Sequence, residues 1–268
     1  MNPYAEVIGD PIAHSKSPII HRHWLERLGL AADYRATRVA PDGLAAYFAE
    51  RAADPDWRGC NITIPHKVAA LDHVPDPGGV RASIGATNTV ARGEDGALFA
   101  TNTDAAGFLA PIADLPLDGE RVVLVGAGGA ARACLFALRQ AGVGEVVLLA
   151  RNALKGMGLL SALGVRGGVQ ALDAPLPPAR LIVNASPLGM AGQSPLALDL
   201  SGQSADALVY DLVYAPLETP LLADARARGL ETVDGLEMLV GQAALAFELF
   251  FGVAPPDDDA ALRALLTA

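Results

Sequence analysis

A glycine-rich turn between a buried strand and a helix constrains the fold of this chain more than any other stretch. Val122 to Gly126 has the apolar character of a buried strand, and a helical pattern follows the turn. The spacing is Gly126-x-Gly128-x-x-Ala131. Glycine permits a tight turn and a close approach to a pyrophosphate, while the small third residue lets helix and strand pack closely. The pattern predicts that a dinucleotide binds at the turn, and a plain structural turn is the alternative. The residues predicted to bind it are Gly126, Ala127, Gly128, Gly129, Ala130 and Ala131.

The next strand, EVVLLARN, carries basic residues where NAD sites usually have an acidic one. An Asp or Glu roughly 20 residues after the turn normally binds the ribose 2′-hydroxyl. Here Arg151 stands in that place, Asn152 follows it, and Lys155 lies shortly beyond. A guanidinium and an ammonium suit a 2′-phosphate. The sequence therefore predicts NADP as the cofactor, and two solvated surface cations are the alternative.

Strand-like and helix-like segments alternate along the rest of the chain. YAEVIG, DYRATRV and CNITI have the apolar and β-branched character of strands, whereas SPIIHRHWLERLG and GLAAYFAERA have helical patterns. Strands separated by helices of this length imply parallel βαβ units. The sequence predicts an α/β fold.

Composition restricts the partners of this chain of 268 residues. Hydrophobic residues make up 51% and charged residues 19%, which is typical of a globular protein. The formal net charge of −10 argues against nucleic acid or an anionic membrane surface as the main partner. Two cysteines, Cys60 and Cys134, cannot form a disulfide framework and suggest a reducing compartment. We expect a cytoplasmic protein, with no signal peptide or membrane-spanning segment, that acts as a monomer or a homodimer.

The stretch CNITIPHK places a lysine just past the end of a strand. The run Ile62, Thr63, Ile64 alternates, and Pro65 ends it because proline cannot donate to a sheet ladder. Lys67 then follows at a position where sheet proteins commonly place their chemistry. A solvated lysine that opens a surface helix is the alternative.

Gln242 stands in an otherwise apolar helix, LEMLVGQAALAFELFF. At about 100° per residue, Glu237 and Glu248 share one stripe and Gln242 points away from both. The amide is therefore expected on the apolar side, where it must find hydrogen-bond partners. A packing role and a ligand contact both remain open. The histidines form no metal-ligand pattern, and His21 and His23 are expected to be solvated helix positions.

Several separated motifs together resemble the shikimate dehydrogenase family. They occur in the family's order between about residues 6 and 252: GDPIAHSKSPIIH, CNITIPHK, IGATNTV, ATNTDAAGF, VGAGGAARA, LIVNASPLG, VYDLVYAPLETPLL and DGLEMLVGQAALAFELFFG. The resemblance implies NADPH-dependent, reversible reduction of 3-dehydroshikimate to shikimate, a step of aromatic amino acid biosynthesis. It implies that Lys67 is the catalytic acid/base and that Asp104 is its partner. An ammonium can stabilise the developing alkoxide and deliver its proton.

The resemblance also assigns the binding residues. For substrate it implies Ser15, Ser17, Asn61, Thr63, Asn88, Tyr214 and Gln242. Ser17 has a second reading as the N-cap of its helix. For the cofactor the resemblance adds Asn184, Ser186, Leu212, Gly235 and Met238.

The expected architecture has two domains. An N-terminal α/β substrate-binding and catalytic domain with a mostly parallel sheet comprises residues 1–104 plus 236–268, and a Rossmann domain binds NADP with residues 105–235. A paralogue that oxidises quinate or shikimate, or an aminated analogue, with NAD is one alternative. A non-catalytic dinucleotide-binding sensor is another, although such a sensor is expected to lack Lys67 or Asp104.

The chain departs from the family pattern at a few positions. Thr87, Ala100, Ala105 and Glu237 replace residues that are usual in the motifs. Asp234 and Glu237 have the spacing of a capping box, so Glu237 is expected to cap the last long helix. A carboxylate near the cofactor is the alternative for Glu237.

Overall fold

The computed structural model describes residues 2–256 and 259–268. The chain divides into two compact units: unit 1 is Met1–Gly107 with Leu239–Ala268, and unit 2 is Phe108–Met238. Within the described residues, no helix combines the length and the apolar character needed to cross a membrane.

Strands and helices alternate along the chain, as the sequence predicted. The strands are β1 (Tyr4–Gly9), β2 (Asp33–Arg38), β3 (Trp57–Ile62), β4 (Thr89–Arg92), β5 (Leu98–Thr101), β6 (Arg121–Val125), β7 (Glu145–Leu149), β8 (Gly167–Gln170), β9 (Leu181–Asn184), β10 (Leu208–Asp211) and β11 (Glu231–Val233). The helices are α1 (Ser17–Arg27), α2 (Leu44–Ala53), α3 (Val80–Ser83), α4 (Asp104–Leu109), α5 (Gly129–Gln140), α6 (Ala153–Ala162), α7 (Pro220–Ala227), α8 (Gly235–Phe251) and α9 (Asp259–Thr267).

Unit 1 contains a five-stranded sheet with the order β2-β1-β3-β4-β5. Strand β1 pairs in parallel with β2 and β3, and β4 runs antiparallel to both β3 and β5. Strand β1 is buried along its whole length, which is typical of a central strand that is covered on both faces. Three parallel strands therefore form the βαβ part, and an antiparallel hairpin extends the sheet.

Helix α1 departs from the sequence prediction at two residues. Ser17 is its first residue and not its N-cap: Lys16 occupies that place without a side-chain cap, and the Ser15 hydroxyl accepts from Ser17 N at 3.3 Å. The expectation that His21 is solvated is wrong, since its side chain is fully buried. The imidazole stacks on Tyr34 with 3.9 Å between ring centroids and also contacts Phe247 of α8.

Unit 2 contains a six-stranded sheet with the order β11-β10-β9-β6-β7-β8, and every pairing is parallel. Strand β6, which precedes the glycine turn, lies in the middle, between β7 and β9. This is the doubly wound Rossmann order, with the reversal of strand order between β6 and β9. Val123, Ile182 and Val209 are fully buried in its core, together with Leu222 of α7. Ligands of such sheets bind outside the carboxyl ends of the strands next to this reversal.

Candidate functional site

Lys67 lies beyond β3, in the turn that follows Pro65. Its backbone carbonyl accepts from Thr87 N at 2.7 Å. Its Nζ donates to Asp104 Oδ2 at 2.5 Å, and the two side chains are only 16% and 5% exposed. Lys67 is therefore a largely buried cation with a carboxylate partner, and the reading as a solvated lysine at the start of a surface helix is wrong.

Asn88 connects this ion pair to its surroundings. Its Nδ2 lies 2.9 Å from Asp104 Oδ1, 2.8 Å from Thr103 Oγ1 and 3.3 Å from Gln242 Oε1. Its Oδ1 accepts from Thr103 N at 2.7 Å. Because Asn88 is almost fully buried, these contacts hold the Asp104 carboxylate in one orientation beneath Lys67.

Gln242 is buried on α8, as the helical periodicity predicted. It is 7% exposed, whereas Glu237 and Glu248 lie on the exposed side of the helix. Its Nε2 donates to Leu239 O at 2.8 Å, and its Oε1 faces Asn88. Gly107 of α4 allows the two helices to meet here, because a Cβ at Gly107 would lie 2.6 Å from Gln242 N.

Asn61, the penultimate residue of β3, lies beside the same network. Its Oδ1 accepts from Tyr34 Oη at 2.6 Å, and its Nδ2 donates to Thr89 Oγ1 at 3.1 Å. The Thr89 hydroxyl in turn lies 3.1 Å from Asn88 Oδ1. Hydrogen bonds therefore link four predicted site residues of unit 1 around Lys67: Asn61, Asn88, Asp104 and Gln242.

The predicted substrate hydroxyls of unit 1 lie outside this network. Thr63 follows β3 directly and is half-buried, and Ser15 lies in the turn before α1. Across residues 2–256 and 259–268, the hydroxyls of Ser17 and Thr63 form no hydrogen bond. They are consequently available to a ligand.

The glycine turn of unit 2 follows β6 and leads into α5. Gly126 has φ +110°, and a Cβ there would lie 2.9 Å from the Ala185 carbonyl oxygen, so only glycine fits. Gly128 is the N-cap of α5 and supplies no side-chain cap, and a Cβ on it would meet no atom within 4 Å. The first N–H groups of a helix lack intrahelical partners. This helix end is therefore open to an anion such as a pyrophosphate.

Two exposed cations follow the end of β7. Arg151 and Lys155 are exposed, and in the part of the chain that the structure describes their side chains form no hydrogen bond or ion pair. Asn152 is the N-cap of α6, with its Oδ1 accepting from Lys155 N at 2.9 Å. Two uncommitted cations and an open helix end fit the phosphates of NADP, so the residues present suit this cofactor.

The remaining predicted cofactor residues lie at the carboxyl ends of β9 and β10 and at the start of α8. Asn184 ends β9, and the half-buried Ser186 and Leu212 follow β9 and β10. Gly235 begins α8 and Met238 is buried in its first turn. Tyr214, predicted to bind substrate, follows β10, and burial raises the pKa of its phenol.

Two residues that the sequence reasoning missed belong to these networks. Thr103 directly precedes Asp104 and donates through its backbone to Asn88. Asp211, the last residue of β10, is fully buried and accepts from Asn184 Nδ2 at 2.8 Å. An acidic residue at the end of an apolar strand was the available signal for Asp211, and the motif VYDLVY contains it.

Comparisons with known proteins identify the family of this chain. Residues 7–90 match the family model described as the shikimate dehydrogenase substrate binding domain, and residues 235–266 match the shikimate 5'-dehydrogenase C-terminal domain. The chain is 64% identical over 268 residues to shikimate dehydrogenase (NADP(+)) of Sphingopyxis alaskensis, with 100% of this chain and 98% of that protein covered. The chain belongs to the shikimate dehydrogenase family.

Solved structures of this family and its relatives share the fold. Shikimate 5-dehydrogenase of Thermus thermophilus, in complex with NADP(H) and shikimate, is 38% identical with a TM-score of 0.85, and 98% of each chain is covered. The ligand-free 5-ketofructose reductase of Gluconobacter sp. strain CHM43 is 32% identical with a TM-score of 0.88, covering 99% of this chain and 98% of that one. The shikimate dehydrogenase scaffold therefore also occurs in a reductase with a different named substrate.

Proposed function

We propose that this chain catalyses the reversible, NADPH-dependent reduction of 3-dehydroshikimate to shikimate. The observation that carries the proposal is the buried Lys67–Asp104 ion pair, in which Nζ and Oδ2 are 2.5 Å apart. An acid next to a carboxylate, in a chain with an open dinucleotide site, is what reduction of a ketone requires. The 64% identity to an NADP-dependent shikimate dehydrogenase supports the choice of substrate.

In the proposed reaction Lys67 is the acid that protonates the carbonyl oxygen and so gives the alcohol. NADPH bound at the glycine turn would supply the hydride for the carbonyl carbon, and negative charge would develop on the carbonyl oxygen. The Lys67 ammonium stabilises this charge and donates its proton to the oxygen. In the reverse direction the neutral amine accepts the hydroxyl proton.

Asp104 and Asn88 keep this acid in place. The carboxylate of Asp104 holds Nζ of Lys67, and Asn88 Nδ2 holds the other carboxylate oxygen at 2.9 Å. A charge-assisted hydrogen bond of this kind fixes the ammonium more firmly than a neutral contact does. Fixing the ammonium before hydride transfer lowers the cost of reorganisation at the transition state.

The proposed substrate contacts use the uncommitted hydroxyls and the amides around Lys67. Ser15 and Ser17 bind the substrate carboxylate, and Thr63, Asn61 and Gln242 bind the ring hydroxyls. Asn88 joins them by exchanging its long 3.3 Å contact with Gln242 for one to a ring hydroxyl. Tyr214 adds a further substrate contact. Hydroxyls and amides both donate and accept, which a polyhydroxylated ring needs. Support comes from the free hydroxyls of Ser17 and Thr63 in the described residues.

NADP is the proposed cofactor rather than NAD. Arg151 binds the 2′-phosphate through parallel N–H bonds, and Lys155 adds a point charge. Asn152 orients the start of α6 beside them. The glycine turn at residues 126–131 takes the pyrophosphate, and Ser186, Leu212, Gly235 and Met238 surround the nicotinamide end.

We further propose that the enzyme works in the cytoplasm, as a monomer or a homodimer. Within the described residues, neither Cys60 nor Cys134 belongs to a disulfide, and both are buried, which suits a reducing compartment. Gel filtration with light scattering distinguishes the monomer from the dimer.

One assay matrix tests the proposal. Shikimate and quinate are each offered with NADP+ and with NAD+, and reduction of the nicotinamide is followed by its absorbance. We expect the highest kcat/KM with shikimate and NADP+. Highest activity with quinate and NAD+ would move the chain to the paralogous function, and no turnover with any pair would favour a non-catalytic sensor.

A further inference from the structure

A buried asparagine and a buried aspartate meet at the carboxyl ends of β9 and β10. Asn184 and Asp211 are paired in register as the last residues of these strands, and both are fully buried. Asn184 Nδ2 donates to Asp211 Oδ1 at 2.8 Å. The pair lies within unit 2, on the side of the strand-order reversal opposite Arg151.

All four hydrogen-bonding positions of the Asn184 amide are in use. Besides the bond to Asp211, its Nδ2 donates to Leu188 O at 2.9 Å. Its Oδ1 accepts from Ser186 N at 3.1 Å and from Ser186 Oγ at 2.7 Å. An amide has two donor and two acceptor positions. The side chain therefore has none left for a ligand, and it shapes the loop of residues 185–188 instead.

Asp211 shapes the loop after β10 in the same manner. Its Oδ1 also accepts from Val213 N at 3.0 Å, and its Oδ2 accepts from Thr219 Oγ1 at 2.7 Å. Thr219 in turn caps α7 by accepting from Leu222 N at 3.3 Å. Within the described residues, no lysine or arginine contacts this carboxylate. Among the described residues, only neutral donors therefore hold the Asp211 carboxylate. Each donor belongs to a segment that the carboxylate orients.

These two loops border the place where a Rossmann unit holds the nicotinamide half of its cofactor. The half built from β6 to β8 takes the adenosine part, and the half that begins with β9 takes the nicotinamide part. Ala185, the first residue of the loop after β9, lies against the glycine turn. Its carbonyl oxygen is so close that a Cβ at Gly126 would lie only 2.9 Å from it. A shift of this loop would therefore alter the cofactor's surroundings.

We propose that Asn184 and Asp211 are positioning residues for the nicotinamide half of the cofactor. Asn184 acts through the backbone and the hydroxyl of Ser186, and Asp211 acts through the backbone of the Leu212–Val213 segment. Neither touches a cofactor atom itself. This inference rests on the proposed NADP-dependent function and deepens it. It reassigns Asn184 from a cofactor contact to a support of one, and it adds Asp211 to the residues on which hydride transfer depends.

Two ligands separate a positioning role from a general structural one. NADP+ contains the nicotinamide half, and adenosine 2′,5′-bisphosphate lacks it while keeping the 2′-phosphate. Calorimetry measures both dissociation constants for the wild type, Asp211→Ala, Asp211→Asn and Asn184→Ala. Asp173→Ala, at an exposed position of unit 2, is the matched control. Circular dichroism and thermal melting check that each variant is folded.

We expect Asp211→Ala and Asn184→Ala to weaken NADP+ by about 10-fold or more, the scale of a lost buried hydrogen bond. Their kcat should fall as well, because the nicotinamide is no longer held for hydride transfer. Binding of the bisphosphate should stay within about 2-fold of wild type, well below that cost. Asp211→Asn should restore most NADP+ binding, since its amide oxygen still accepts from Asn184 and Val213.

In the alanine variants, equal losses for the two ligands, or no loss for either, would overturn the inference. If Asp211→Ala does not fold, Asn184→Ala decides the question with the same pair of ligands. A wild type that binds neither ligand would refute the proposed function itself, so the two failures are distinguishable.

Discussion

Each unit contains a buried asparagine that donates its amide to an aspartate, and the two aspartates have different second partners. In unit 1, Asn88 Nδ2 is 2.9 Å from Asp104 Oδ1, and the other carboxylate oxygen binds the Lys67 ammonium. In unit 2, Asn184 Nδ2 is 2.8 Å from Asp211 Oδ1, and the other oxygen binds the Thr219 hydroxyl. The same pair of residue types is therefore built once around a cation and once around neutral donors.

The second partner decides what each pair can do. A cation beside Asp104 places a transferable proton at a partly exposed position, which suits acid/base chemistry. Among the described residues no cation lies beside Asp211, and burial raises its pKa although bonds from Thr219, Val213 and Asn184 act in the opposite direction. Two of these donors, Val213 N and Thr219 Oγ1, belong to the segment between β10 and α7, so the carboxylate anchors that segment. The proton transfer proposed for Lys67 and the positioning proposed for Asp211 therefore differ in the second partner of one carboxylate.

Removing the Lys67 ammonium of unit 1 should have the largest effect on activity. Lys67→Ala should lower kcat by about 10²–10⁴-fold and change the KM for shikimate much less, because the ammonium acts mainly as the alkoxide forms. Steady-state kinetics measures both. NADP+ binding, which we assign to unit 2 in the proposed function, serves as the control and should stay unchanged. Near-wild-type turnover would rule out the catalytic role.

The Lys67–Asp104 pair should also behave as a unit. Asp104→Asn is expected to cause a similar loss of kcat, and the double variant should lose much less than the product of the two single losses. Multiplicative losses would mean that the two groups act independently, despite their contact.

Substrate affinity in unit 1 should depend on Ser17. Ser17→Ala removes a hydroxyl proposed to bind the substrate carboxylate, and such a bond is worth about 1.5–3 kcal/mol. The KM for shikimate should therefore rise by roughly 10- to 100-fold, and the KM for NADP+ should stay constant. Since Ser17 does not cap α1, the melting temperature should change little. A lower melting temperature with an unchanged KM would contradict the assignment.

Cofactor choice in unit 2 should depend on Arg151. A 2′-phosphate carries about −1.5 to −2 charges at neutral pH, and the exposed Arg151 has no competing protein partner among the described residues. The wild type should prefer NADP+ over NAD+ by at least about 10-fold in kcat/KM, a difference of about 1.4 kcal/mol. Arg151→Ala should remove most of this preference by weakening NADP+ alone. Arg166→Ala, at another exposed arginine of unit 2, is the matched control.

The smallest expected effect is a pH dependence of stability that arises from His21 of unit 1. Burial lowers the pKa of His21 from 6.5 to about 3, and neither ring nitrogen has a hydrogen-bond partner in the described residues. Between these values the unfolded chain binds a proton that the folded chain does not, so the free energy of unfolding falls as the pH falls. The slope approaches about 1.4 kcal/mol per pH unit at most.

Urea unfolding at several pH values between about 6.5 and 5 measures this slope. The window stays above the titration of Glu6, whose pKa is lowered: burial raises it, but hydrogen bonds from Arg51, Thr37 and Tyr47 outweigh burial. His21→Gln should flatten the slope whatever its effect on stability itself. His73→Gln, at an exposed histidine, should leave the slope as it is, and an unchanged slope in His21→Gln would contradict the prediction.

Local patterns in the sequence were enough to predict those features that depend only on residues close together in the chain. The alternation of strands and helices, the glycine turn after β6 and the burial of Gln242 follow from periodicity and from steric limits on a few adjacent residues. The family resemblance pointed to Lys67 and Asp104, which are far apart in the chain. Their contact at 2.5 Å could only be seen once β3 and α4 were placed.

The tertiary structure alone decided which polar side chains are used up and which are free. The sequence of α1 predicts a solvated His21. In the structure, however, Tyr34 and Phe247, which are distant in sequence, enclose the His21 ring. Asn184 matches a family motif, and three of its four hydrogen bonds join it to Ser186 and Leu188 in the loop that follows it. The fourth joins it to Asp211, which only the folded sheet brings near. A residue's identity sets how many hydrogen bonds it can form. The partners that long-range packing brings to it determine how many remain for a ligand.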